Sequence, residues 1–303
     1  MIAKLPDRNA TLLDLLPFAN IDVIVTDLDG TLITGNEDVS DRIKENINIL
    51  RRKKVYITIA TGRTFKGAYP LINQINIEIG MPICLYNGAI VLEYGTDTLL
   101  YSNLIDINIV YDFIEKVFSL DITIYIYTFS IDNIALLNEG ESRVKEQVYG
   151  LGMKKNQKDV NNMPIQWLVR DEDIKKVREP IVALLIEKNG LKESEIEYIK
   201  KSLRDTQSLV YTDSGNGFIE AKMKGLNKGG IISTLKEKYK YKNILAIGDN
   251  DNDEELFQYA DISVAVENSS TIAIDAADFI CENESAYGFL DMLTVINNAK
   301  RYC

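Results

Sequence analysis

Ile21-Asp22-Val23-Ile24-Val25 leads through Thr26 into Asp27-Leu28-Asp29-Gly30-Thr31, a β-branched run that ends in two carboxylates two residues apart. A short apolar run closed by glycine predicts a buried strand, so both carboxylates fall at its C-terminal end. That placement suits a nucleophile beside a proton donor. One carboxylate can attack a phosphoryl group as a covalent catalyst, and a neighbouring carboxylic acid can protonate the departing oxygen and then activate water. Read alone, the pentapeptide is equally an acidic turn closed by Gly30.

Complementary groups recur at the ends of other apolar runs. Val55-Tyr56-Ile57-Thr58-Ile59-Ala60 predicts a second strand, ending in Thr61-Gly62-Arg63. A hydroxyl and a free backbone N–H at such a tip can bind a phosphate oxygen, and Gly62 lets the backbone approach closely; Thr61 can equally cap the following helix. Asn227-Lys228-Gly229-Gly230 opens an amphipathic stretch with Ile231, Ile232 and Leu235, whose helical start would hold the Lys228 ammonium near an anion. Taken singly, Lys228 is one surface lysine among many.

Ile244-Leu245-Ala246-Ile247 is a further short strand pattern, and Gly248-Asp249-Asn250-Asp251-Asn252-Asp253 follows it. Carboxylates packed this densely repel one another unless a cation sits among them. Magnesium fits, because it prefers oxygen and is held by one or two carboxylates together with substrate phosphate. A helix-loop-helix calcium site shares the alternating Asp249, Asp251 and Asp253, but it needs glycine at the sixth position and glutamate at the twelfth, where this chain has Glu254 and Ala260.

Asp27-Leu28-Asp29-Gly30-Thr31, Thr61-Gly62-Arg63, Lys228 and Gly248-Asp249 with Asn252-Asp253 resemble, in order, the four motifs of the haloacid dehalogenase-like phosphatases. The resemblance spans most of the chain and is nearest to the Cof-type branch, where Asn87-Gly88-Ala89 resembles a loop after the third strand and a large cap is inserted between the second and third motifs. It implies that Asp27 is the nucleophile of an aspartyl-phosphate and Asp29 the general acid and then base. It implies a magnesium ion held by the Asp27 carboxylate, the Asp29 backbone carbonyl, Asp249, substrate phosphate and waters, with Asn252 and Asp253 supporting that shell. Thr61, with Gly62, and Lys228 would bind the phosphoryl oxygens, and Arg63 and Asn87 would stand near the substrate. The chain departs from the branch pattern at Asn250, Met223, Val266 and Ser269, none of them a reacting group.

Composition narrows the chemistry. A chain of 303 residues with no histidine has no Ser-His-Asp or Cys-His mechanism and no histidine-ligated zinc. Cys84, Cys281 and Cys303 are far apart and form neither a metal pair nor a disulfide framework, so a reducing cytoplasm is expected. A net charge of −11 argues against a nucleic-acid partner. It also requires magnesium, Lys228 and loop N–H groups to make the pocket locally positive for an anionic small molecule. No apolar run approaches the roughly 20 residues of a membrane span. Residues 1–20 lack a secretory pattern and read as a packed amphipathic extension.

Strand, loop, helix and strand follow in βαβ order, with Ser40 as the cap of a helix that carries Ile43, Ile47 and Leu50 on one face. This predicts an α/β fold with a Rossmann-like parallel-sheet core, and ligands in such sheets bind beyond the strand C-termini. The core is expected over residues 21–105 and 214–303. Residues 106–213 show a separate alternation, with a helix over 109–118, a strand over 122–127, a strand over 182–186, a helix over 194–203 and a strand over 209–211. They are expected to form an inserted α/β cap with hinges near 103–106 and 213–217, which would exclude bulk water and choose the leaving group. Trp167, Tyr125, Tyr127 and Tyr149 could wall a ligand, although aromatics at alternating strand positions are more often packed.

The expected activity is magnesium-dependent hydrolysis of small phosphorylated metabolites such as sugar phosphates, flavin or pyridoxal phosphates. A sugar-phosphate mutase that hands the same acyl phosphate to a hydroxyl, and a non-catalytic binder of phosphometabolites, are the competing readings.

Overall fold

The structure is a computed structural model that describes residues 2–7, 9–35, 38–132, 142–152, 157, 159–160, 163–214 and 217–301. Cys303 and residues 215–216 of the expected second hinge lie outside the described residues. The chain divides into two compact units, Met1–Leu100 with Asn227–Cys303, and Tyr101–Leu226.

The first unit is built on a six-stranded sheet in the order Ala3–Lys4, Phe279–Ile280, Ile262–Ala265, Ile244–Gly248, Val23–Thr26, Tyr56–Ile59, and every pairing in it is parallel. The strands read as continuous apolar runs because helices cover such sheets on both faces. Val23–Thr26 and Ile244–Gly248 are buried at every position. Among the helices, Asp41–Arg52 starts at Ser40, whose hydroxyl accepts from Ile43 N, and buries Ile43, Ile47 and Leu50. Val23–Thr26 has the next strand in sequence on one side and the much later Ile244–Gly248 on the other. The order of the sheet therefore reverses at this strand, and a crevice at the strand C-termini is the place for a ligand. Pro82–Leu85 continues the layer through a parallel bridge from Cys84 to Ala60 and starts a three-stranded sheet with Ile90–Glu93 and Thr98–Ser102. At the N-terminus, Ala3–Lys4 takes the sheet edge while Leu15 and Phe18 are buried.

The second unit is a seven-stranded, mainly antiparallel sheet in the order Leu209–Ser214, Phe218–Met223, Ile181–Glu187, Ile124–Ile131, Val144–Leu151, Met163–Trp167, Asp159–Val160. Helices Ile107–Val117 and Glu193–Arg204 pack onto it, with Val110, Phe113, Ile114, Ile199 and Leu203 meeting Ile124, Ile126, Leu184 and Ile186 in one apolar core. The sequence pattern suggested a return to the first unit at 214. Phe218–Met223 instead pairs with both Leu209–Ser214 and Ile181–Glu187, so the polar stretch around Gly217 joins two strands of this sheet. No helix among the described residues is long and apolar enough to cross a membrane.

Candidate active site

Three neighbouring strands of the first unit deliver the candidate groups at their C-terminal ends. Asp27 follows Val23–Thr26 directly. Its N–H donates to Ile247 O at 3.0 Å and its carbonyl accepts from Thr26 Oγ1 at 2.6 Å, so the main chain is fixed on both sides. The residue is only 5% exposed. The chain then turns at Gly30 (φ +82), where a Cβ would also collide with the Asp249 carboxylate. Only glycine meets both demands. Thr31 is buried behind it and donates through Oγ1 to Asp249 Oδ1 at 2.8 Å.

Lys228 comes in just before helix Gly230–Glu237 and is 1% exposed. Its Nζ donates to Asp27 Oδ1 at 2.7 Å and to Asp253 Oδ1 at 2.8 Å. Burial alone would favour the neutral amine, but Asp253 and Asp27 outweigh it and hold the ammonium above the usual lysine range. Asp253 is fully buried, and its second oxygen accepts from Asp249 N at 3.0 Å and Asn250 N at 3.1 Å. The same carboxylate therefore shapes the acidic loop and shares the lysine.

Carboxylate oxygens of Asp27, Asp249 and Asp253 lie within 4.8 Å of one another. Burial raises the Asp27 carboxyl above its ordinary value and Lys228 pulls it back only in part. Burial likewise pushes Asp249 up to about 6, against the Thr31 hydrogen bond. One ammonium does not balance three carboxylates, and hard oxygen donors in this number suit magnesium. The residues present therefore fit a divalent cation. Asp253, expected only as support, is the third member of the cluster.

The Asp29 carboxylate faces elsewhere. Arg63 grips it as a fork, with Nε to Oδ2 at 2.8 Å and Nη2 to Oδ1 at 2.6 Å, and steadies itself through Nη1 on Gly67 O at 3.1 Å. Such paired charge-assisted bonds fix direction as well as distance. Asp29 remains on the open side of the site, its side chain 58% exposed.

Thr61 is buried at the end of Tyr56–Ile59. Its backbone N–H is spent on Cys84 O at 3.0 Å, and its hydroxyl accepts from Arg63 N at 3.1 Å. The hydroxyl hydrogen, not the main-chain donor, is what Thr61 can offer an anion. Thr64, not Thr61, caps the next helix, Phe65–Ile75, by accepting from Gly67 N. Asn87 stands beside Gly62 and accepts from Asn252 Nδ2 at 2.9 Å. The sequence reading gave Thr31 no role. A hydroxyl directly after the second carboxylate and its glycine was the available signal, but its partner lies 218 residues away.

Fold and site together define an α/β enzyme with an acidic, lysine-bearing centre at the ends of parallel strands. Residues 24–293 match the family model described as haloacid dehalogenase-like hydrolase. MG265 of Mycoplasma genitalium, whose phosphatase name is provisional, is 25% identical over 276 residues, covering 86% of this chain and 93% of its own. The 5-amino-6-(5-phospho-D-ribitylamino)uracil phosphatase YcsE of Bacillus subtilis is 23% identical over 266 residues, covering 87% and 90%. The crystal structure of a haloacid dehalogenase-like hydrolase from Bacteroides thetaiotaomicron superposes with a TM-score of 0.69 at 21% identity, over 93% of this chain and 100% of that one. The chain belongs to the haloacid dehalogenase-like hydrolases, in the Cof-type branch of that family's phosphatases.

Proposed function

We propose that this protein hydrolyses phosphate monoesters of small metabolites with magnesium, through an aspartyl-phosphate on Asp27. The observation that carries the reading is the buried Asp27 carboxylate, held at 2.7 Å by Lys228 and grouped with Asp249 and Asp253. A lysine that neutralises one oxygen leaves the other to attack phosphorus. As the phosphorus–oxygen bond to the leaving group breaks, Asp29 delivers a proton to the departing oxygen; it then takes one from the water that cleaves the acyl phosphate, releasing inorganic phosphate and regenerating Asp27. Lys228 and the Thr61 hydroxyl meet the phosphoryl oxygens, while Asp29, both of whose oxygens Arg63 holds in this structure, must leave that fork and take up a proton to act on the leaving group. Asp27, Asp249 and the Asp29 carbonyl would hold magnesium, with Asp253 and Asn252 around them. When bound, the ion supplies charge neutralisation of the phosphoryl oxygens.

The unit Tyr101–Leu226 is the proposed cap that selects the leaving group. A cytoplasmic setting belongs to the same proposal, and the buried, free Cys84 and Cys281 are in keeping with it. Because three relatives bear the name of a ribitylaminouracil phosphate phosphatase, that ester belongs in the test set beside sugar, flavin and pyridoxal phosphates.

Phosphate release should require magnesium and stop with chelator, and Asp27→Asn should abolish it. Turnover by Asp27→Asn at the parent rate would overturn the nucleophile assignment. Isomerised monophosphate in place of free phosphate, from a bisphosphorylated sugar, would mark a mutase.

A further inference from the structure

Asn87 lies in the left-handed region (φ 54, ψ 35), in the turn Tyr86–Gly88 that follows strand Pro82–Leu85. Asparagine tolerates that conformation better than most residues. The turn is stitched to the Thr61 loop by two backbone bonds, Asn87 N to Thr61 O at 3.0 Å and Tyr86 N to Arg63 O at 3.1 Å. The side chain is 7% exposed and lies flat against Gly62, where a Cβ would stand 3.0 Å from both Nδ2 and Oδ1 of Asn87.

Asn252 Nδ2 donates to Asn87 Oδ1, so in this structure the Asn87 amide turns its oxygen toward Asn252. Oδ1 must accept, and Nδ2 is left with both of its N–H groups. Among the described residues Nδ2 makes no hydrogen bond. Asn87 is more than nine-tenths buried as a residue, yet Nδ2 is not among the buried atoms without a partner, so this donor stays open to a ligand that reaches the site. Its surroundings say what that is. The Thr61 hydroxyl, the loop of Gly62 and the Arg63 guanidinium are all donors, and the ligand that answers such a set is an oxygen-rich anion.

We propose that Asn87 Nδ2 donates a hydrogen bond to a nonbridging oxygen of the phosphoryl group, with Asn252 as the positioning residue that holds the amide in its donating orientation. The inference rests on the reading of this site as one for phosphoryl transfer. It assigns Asn87 contact with the transferring group, not with the leaving group.

Asn87→Asp is the informative variant, because it preserves size and the oxygen that Asn252 needs while replacing the donor by a negative oxygen. With p-nitrophenyl phosphate and magnesium, kcat/KM should fall on the order of 100-fold, as when one preorganised donor is lost from an active site. Inorganic phosphate, measured by calorimetry without turnover, should bind at least about tenfold more weakly, with the melting temperature little changed. Asn252→Ala, which frees the amide to rotate, should weaken phosphate binding to a smaller extent. Parental phosphate affinity in Asn87→Asp overturns the proposal, even if kcat has dropped, because that pattern belongs to a residue that only shapes the loop. Should Asn87→Asp fail to fold, parental affinity in Asn252→Ala overturns it. A parent that binds phosphate but hydrolyses no ester would instead defeat the proposed function and leave the affinity comparison valid.

Discussion

Asp253 divides its two oxygens between different tasks. One holds the Lys228 ammonium at 2.8 Å, and the other accepts the backbone N–H groups of Asp249 and Asn250. A single buried side chain thereby both pairs with the lysine and shapes the loop. Thr31 does the complementary work on the side chain of Asp249. Groups that orient a metal-binding carboxylate tune its affinity although they touch no ion. Thr31→Val keeps the volume and removes the donor, so the magnesium concentration for half-maximal activity should rise about tenfold with fold and kcat at saturation largely retained. Magnesium titration of p-nitrophenyl phosphate hydrolysis checks this. An unchanged half-activation point would mean that the Asp253-shaped loop alone aims Asp249.

At the scale of elements, the strand Ile90–Glu93 is tied to the end of helix Gly230–Glu237 through Glu93, which accepts from the Tyr239 hydroxyl and from Lys238 Nζ at 3.1 Å. The Tyr239 hydrogen bond, reinforced by Lys238 and Thr96, holds the Glu93 carboxyl below the ordinary glutamate value against the effect of burial. A carboxyl lowered in the fold contributes stability above its unfolded value, and the contribution disappears as pH falls through the folded value. Glu93→Gln should therefore lower stability at neutral pH by on the order of 1 kcal/mol. The gap between parent and variant should close below about pH 4. Thermal melts across that range test it, and a gap independent of pH would show that the charge of Glu93 does not matter.

Elements with pure apolar runs were readable from sequence. Val23–Thr26 and Ile244–Gly248 are buried at every position and Tyr56–Ile59 at all but Tyr56, and shortness, β-branching and a nearby glycine separate such runs from a buried helix. The α/β class and the family resemblance followed from them. Val144–Leu151 escaped because its first half carries Lys145, Glu146 and Gln147, with burial reserved for the second half. Met163–Trp167 escaped because Pro164 argues against a strand. It is tolerated there because Pro164 sits beside Asp159 of the short outermost strand, while the parallel ladder to Val144–Leu151 begins only at Ile165. In the candidate site, strand ends could be located but orientations could not. Which oxygen Lys228 holds, where Asp29 faces and what Thr61 does with its N–H depend on partners far away in sequence.

The whole molecule carries a net charge of −11 while its proposed ligands are anions. Electrostatic repulsion at long range should slow their approach, and salt should relieve it because screening shortens from about 30 Å at 0.01 M to about 8 Å at 0.15 M. At saturating magnesium, kcat/KM for p-nitrophenyl phosphate is expected to rise roughly two- to threefold over that interval. A fall over the same range would mean that the local positive field of the site dominates approach.

The parallel sheet also governs how the protein comes off the ribosome. Val23–Thr26 is made early, yet one of its two flanking strands, Ile244–Gly248, emerges roughly two hundred residues later, about ten to forty seconds at ordinary rates of synthesis. Through that interval a largely apolar ribbon waits with one edge unpaired, while the seven-stranded sheet, whose strands all lie between Ile124 and Met223, can complete itself first. The inserted segment thus doubles as a delay line in biogenesis, and the nascent chain stays exposed to chaperones and to misassociation until Ile244–Gly248 emerges.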